Sequence, residues 1–223
     1  MKRFFYLLAF ATIIASCGGP EGEAIGSSEA VGEAAGATTE LVAATQYVVD
    51  PAASVVNWEG AKVLGDSHTG TIPVSDGQLR IAGGKLVGGK FTMDIRQITN
   101  TDMPADKGGD KLIGHLKGED FFEVEKFPMA SFTITKVQPV SETTDGTTHE
   151  ISGDLTLKGE TRNVTIPATV SMDGGQFKAT TPKFTINRLD WGIVYGNSAI
   201  EGLTKDKVIS NDVGLELMIV ANK

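Results

Sequence analysis

"ISGDLTLKGETRNVTIPATVSM", residues 151–172, decides the fold. Its first half sets Ile151, Gly153, Leu155 and Leu157 against Ser152, Asp154, Thr156 and Lys158. Its second half sets Val164, Ile166, Ala168, Val170 and Met172 against Asn163, Thr165, Pro167, Thr169 and Ser171. A period of two, apolar on one side only, is the mark of a half-buried strand rather than a helix. Lys158-Gly159 between the halves makes the pair a hairpin.

The same period runs outward in both directions. Val213, Leu215, Leu217 and Ile219 alternate with Asp212, Gly214 and Glu216 near the C-terminus. Further strands are expected at about 55–63, 69–74, 78–81, 85–98, 130–139 and 176–186. Asp76-Gly77, Gly83-Gly84, Asp145-Gly146 and Asp173-Gly174-Gly175 supply turn chemistry between them, and Gly88-Gly89 reads as a kink or bulge within a strand. Some eight or nine short antiparallel strands with one apolar face each leave two solutions: two stacked sheets, or one sheet closed on itself. A closed barrel of about eight strands has room inside for side chains or one slender ligand. Two stretches break the period. In 103–122, Asp110 is placed to cap a short helix whose inward stripe is Leu112, Ile113 and Leu116, with Gly118 as its stop. The other, 188–205, is glycine-rich and aromatic and reads as an irregular loop.

The N-terminus has a different composition. Lys2 and Arg3 precede an apolar run, residues 4–15, too short to span a bilayer, and Ile14-Ala15-Ser16-Cys17 resembles a lipobox. Residues 1–17 are therefore expected to be a lipoprotein signal ending at an acylated Cys17, the only cysteine of the chain. With that thiol used, no disulfide, metal thiolate or cysteine nucleophile remains. Residues 18–45, rich in Gly, Ala and Glu, are expected to be a flexible acidic tether, and residues 46–223 one domain. Gly18 after Cys17 gives no Asp-type retention signal, so an exported protein on the periplasmic face of the outer membrane is expected. Subtracting the +2 of the signal and the −5 of the tether from the chain's −8 leaves −5 on the domain. That balance argues against nucleic acid, which requires basic surface.

Three segments carry a resemblance. "GHLKGEDFFEVEKFPMASFTI" (114–134), "SGDLTLKGETRNVTIPATV" (152–170) and "INRLDWGI" (186–193) resemble, in order, three signatures of the YceI-like family. The resemblance spans about residues 47–221 and implies an extended, lipocalin-like antiparallel β-barrel of about eight strands with one short helix insertion. Family members are exported bacterial proteins, and the best understood hold a long polyisoprenoid inside the barrel. By resemblance the partner is thus a long-chain isoprenoid or similar lipid, with the membrane contacted through the acylated N-terminus. The segment 56–72 is similar only loosely, with His68 at a different spacing.

The residues themselves nominate a lining. Phe132 shares a face with Ile134, Trp58 with Val56, and Phe91, Met93 and Ile95 with one another. With Leu155, Leu157 and the helical Leu112 and Leu116 they are candidates for the cavity, while Phe121 and Phe122 are placed to close one mouth. His115 falls about 60° outside the Leu112 edge of the helical stripe. Its readings are a positioning hydrogen bond to strand backbone or Asp120, a head-group contact, or catalysis with Asp120. Arg188 with Asp190 and Trp191 reads as an ion pair pinning a loop, or as a guanidinium facing an anionic head group. His68, His115 and His149 are isolated, so no metal site is expected, and no phosphate loop, dinucleotide fingerprint or serine elbow calls for a cofactor. The expected function is a membrane-anchored binding protein. Its rivals are a packed envelope barrel without ligand and an enzyme acting on a lipid head group.

Overall fold

The computed structural model describes residues 19–32, 44–141, 143–200 and 202–223. The signal segment with Cys17, and residues 33–43 of the expected tether, lie outside the described residues. The strands, in chain order, are β1 (Glu23–Ile25), β2 (Ser27–Glu29), β3 (Thr45–Val49), β4 (Val55–Ala61), β5 (Ser67–Ala82), β6 (Lys85–Asp94) and β7 (Thr99–Asn100). After one helix, α1 (Gly109–Lys117), follow β8 (Met129–Pro139), β9 (His149–Leu157), β10 (Glu160–Asp173), β11 (Gln176–Thr180), β12 (Phe184–Asn187) and β13 (Asp212–Asn222).

The sheet closes on itself. Antiparallel ladders run β4–β5–β6–β8–β9–β10–β11–β13 and return from β13 to β4, a ring of eight strands. Closure decides between the two architectures that alternation left open, and it removes free edges from the ring. The expected hairpin appears in register, with Glu160 opposite Leu157 and Ala168 opposite His149. Two staves of this ring are broken. β3 and β4 both run antiparallel to β5 and both meet β13, interrupted by the turn at 50–54. β11 and β12 both pair with β13, interrupted at 181–183. The expected single strand 176–186 fails there because Pro182 has no N–H to give to a ladder.

Two other departures have local causes. Asp76-Gly77 is not a turn but the middle of β5, where the register slips between Val74 and Asp76. Gly77 is needed for space: a Cβ there would lie 2.7 Å from Phe91 and Val49 side chains. A bulge falls beside Gly88-Gly89 rather than on it: Arg80 pairs with Gly88 but Ile81 with Leu86, which leaves Val87 as the extra residue. Helix α1 also starts differently. Its cap is Gly108 in the left-handed region, without a side-chain bond, and Asp110 lies inside the first turn, where its charge favours the helix dipole. Gly118 does end the helix, its N–H donating to the His115 carbonyl.

The expected tether needs the larger correction. Its described part, residues 19–32, is docked: β1 pairs in parallel with β12, and β2 pairs antiparallel with β10. The entropy argument counted side chains to bury, and this segment has few. Ladder pairing uses backbone groups instead, and small residues suit a narrow slot.

Candidate functional site

The inward faces of the ring enclose two adjoining cavities of about 130 and 40 Å³. Phe91, Phe132, Ile166 and Leu217 line both and form a waist between them. At the waist the Phe91 and Phe132 rings meet at 5.6 Å, tilted by 37°. Near the larger cavity's Trp58, the indole N–H donates to the Thr99 carbonyl at 3.1 Å, so its polar edge is satisfied and its apolar face is free for the interior.

The nominated residues divide clearly. Trp58, Phe91, Met93, Ile95, Leu116, Phe121, Phe122, Phe132, Leu155, Leu157 and Arg188 line the larger cavity, and Ile134 the smaller. Leu112 packs from outside against the core. Trp191 is 0% exposed and away from the cavity wall, with its indole N–H donating to the Leu155 carbonyl at 2.9 Å. It is a core residue that seats the turn 188–191. His115 is exposed, its Nε2 2.9 Å from the Asp120 carboxylate and its ring edge-on to Phe121 and Tyr195 at 4.9 and 4.8 Å. It fastens α1 and the Phe121 turn to the second irregular loop, and it does not face the cavity.

Other lining residues went unnominated. Val164, Ile166, Val213, Leu215 and Leu217 carry the alternation on which the strands were read, and that same alternation points them inward. Ile193 and Ile209 come from irregular loops, where no period exists to reveal them.

Among the described residues, Arg188 is the one charged residue lining the larger cavity. It is 3% exposed and not paired with Asp190. Its guanidinium donates to three backbone carbonyls, Nε to Ser210 at 2.9 Å, Nη1 to Ile193 at 2.5 Å and Nη2 to Ile209 at 3.3 Å. Burial pulls its pKa below the usual arginine value. The sequence reading expected a loop pinned by an ion pair; the loop is pinned by carbonyls, because Asp190 faces the other way and accepts from Ser27 Oγ at 2.6 Å. Among the described residues no group of His, Cys, Asp or Glu could hold a metal, and no helix is long and apolar enough to cross a membrane.

A cavity of this kind has a cost. At about 24 cal/mol per Å³, 130 Å³ left empty in an apolar interior costs about 3 kcal/mol. Apolar walls hold no water well, so an apolar occupant is the natural complement.

Comparison with known proteins agrees with this architecture. The YceI-like domain model matches residues 47–221. A UPF0312 protein of Pseudomonas fluorescens is 30% identical over 174 residues, covering 73% of this chain and 83% of the relative. One of Pseudomonas putida is 30% identical over 160 residues, covering 67% and 77%. Among solved structures, BcnA of Burkholderia cenocepacia superposes with a TM-score of 0.60 at 21% identity, over 78% of this chain and 99% of that one. A polyisoprenoid binding domain from Saccharophagus degradans gives 0.58 at 17% identity, over 79% and 97%. The domain match over residues 47–221 and the relative 30% identical across most of both chains, with the eight-stave ring, show that this chain belongs to the YceI-like family.

Proposed function

We propose that this protein binds one slender apolar chain, an isoprenoid or a similar long-chain amphiphile, inside the barrel. The observation that carries the reading is the cavity inside the ring, whose walls present only apolar surface. Burial of chain surface, at about 25 cal/mol per Å², supplies the affinity. The Arg188 guanidinium, buried in the wall and bonded to three backbone carbonyls, holds the loops at one end of the cavity. The polyisoprenoid named for the Saccharophagus neighbour is a ligand of the same shape.

Binding without turnover is the role that fits. His115 and Asp120 bond to each other, and neither lines the cavity. A packed barrel without ligand is disfavoured by the cost of the empty cavity. The reading extends to the N-terminus: export through residues 1–17 and acylation of Cys17 would hold the barrel at the periplasmic face of the outer membrane, the acyl chains contributing about 0.8 kcal/mol per buried methylene.

Native mass spectrometry of the full chain, purified in detergent from a bacterial host, tests this. The expected result is a bound species of isoprenoid mass, or its appearance when polyprenol is added. Neither a co-purified lipid nor uptake of added polyprenol would overturn the proposal.

A further inference from the structure

Among the described residues the barrel wall has one seam. β10 pairs with β11 only at 169–173, and among the described residues no ladder joins the rest of β10 to β12. After the break at Pro182, β12 follows β13 and leaves β10 behind. The slot between them is filled by the N-terminal segment. Residues 23–25 pair with 184–186 of β12 on one side, and residues 27–29 pair with 162–164 of β10 on the other.

This inserted stave is held differently from the others. Ring strands bring an apolar side chain to the core at every second position, whereas the segment contributes Ile25 alone. Besides its ladders its attachments are polar, one of them to the buried Asp154. Ser27 Oγ donates to Asp190, Arg162 pairs with Glu29 at 2.6 Å, and the N–H groups of Val31 and Gly32 donate to the Asp154 carboxylate at 3.0 and 2.7 Å. A stave with little apolar burial opens at a lower free energy than the sheet around it. The strands it separates carry Val164 and Ile166 on one side and Phe184 and Ile186 on the other, and all four line the larger cavity.

We propose that the seam between β10 and β12 is a lateral entrance to the larger cavity, and that residues 20–32 are its removable stave. The inference rests on the reading of the cavity as a site for an apolar chain. Displacing the stave lets such a chain enter sideways along its length, without threading its head past α1 and Phe121.

The test uses the full chain in detergent, hydrogen exchange, and cis-parinaric acid as a fluorescent apolar probe. Gly22→Val acts where the stave meets β12: Gly22 has φ +141°, and a Cβ there would lie 2.8 Å from the Lys183 carbonyl oxygen and Phe184 Cα. Ser27→Ala is a milder companion that removes only the bond to Asp190. In the unsubstituted protein, amides 23–29 are expected to exchange at least tenfold faster than those of β10 paired with β11. Gly22→Val is expected to raise their exchange a further tenfold and to raise probe association and dissociation rates together, about fivefold, with Kd within about twofold. Ser27→Ala should move the same quantities in the same direction, less. Stave amides that exchange only with global unfolding would overturn the proposal. So would faster stave exchange with unchanged probe rates, which would assign entry to another part of the barrel. A protein that takes up no probe while its stave opens separately overturns the ligand reading and the entrance, leaving the seam as a purely mechanical feature.

Discussion

Asp94 closes β6 just before the cavity-lining Ile95, and its carboxylate accepts four hydrogen bonds, from Arg96 N, Nε and Nη2 and from Gln97 Nε2, at 2.8–3.1 Å. The Arg96 side chain, with Gln97 and the Arg96 N–H, outweighs burial and lowers its pKa from 3.8 to about 2. A carboxylate whose folded pKa is depressed stabilises the fold above its unfolded pKa and loses that contribution as pH falls through the folded one. Asp94→Asn should therefore cost about 1.5–3 kcal/mol at pH 7, a deficit that shrinks as pH falls from 3.8 towards 2. Denaturant midpoints of the two proteins across that range check it, and a pH-independent gap would refute the assignment. Local contacts of this kind are legible in sequence: His115 and Asp120, five positions apart, meet as one of the expected readings had it. Asp190 shows the limit. Its partner Ser27 lies 163 residues away in a segment whose composition signals no contact at all.

Among the elements, the hairpins were read most securely, because alternation states both that a strand exists and which side faces in. The β8–β9 pair adds a constraint that alternation does not show. Gly153 occupies an inward position, and a Cβ there would lie 2.2 Å from the Phe132 ring. Gly153→Ala must push that ring from its place beside Phe91 at the waist. The expected outcome is a loss of about 1–3 kcal/mol and weaker uptake of a long apolar probe; an unchanged melting temperature and affinity would show that the ring can move freely. Gly77 misled the sequence reading for the same reason: a glycine required by close packing looks like one required by a turn. The stave 20–32 was illegible because its pairing rests on backbone groups, and sequence periodicity reports side chains.

For the molecule as a whole, a site that exists only in the folded barrel couples occupancy to stability. Saturation to about 100 times Kd should add about 2.7 kcal/mol, which for a domain of this size raises Tm by roughly 5–10 °C. Melting the delipidated and the polyprenol-loaded protein side by side measures it, and coincident curves would speak against an interior site. The docked N-terminus has a further consequence, for posture. A free tether from Cys17 to Thr45 could stretch about 95 Å, letting the barrel roam at any angle above the bilayer. With Pro20 packed on Gly214, an acylated Cys17 has only three residues of slack, about 10 Å. An acylated Cys17 would then act as a hinge pin rather than a leash, keeping the barrel close to the bilayer.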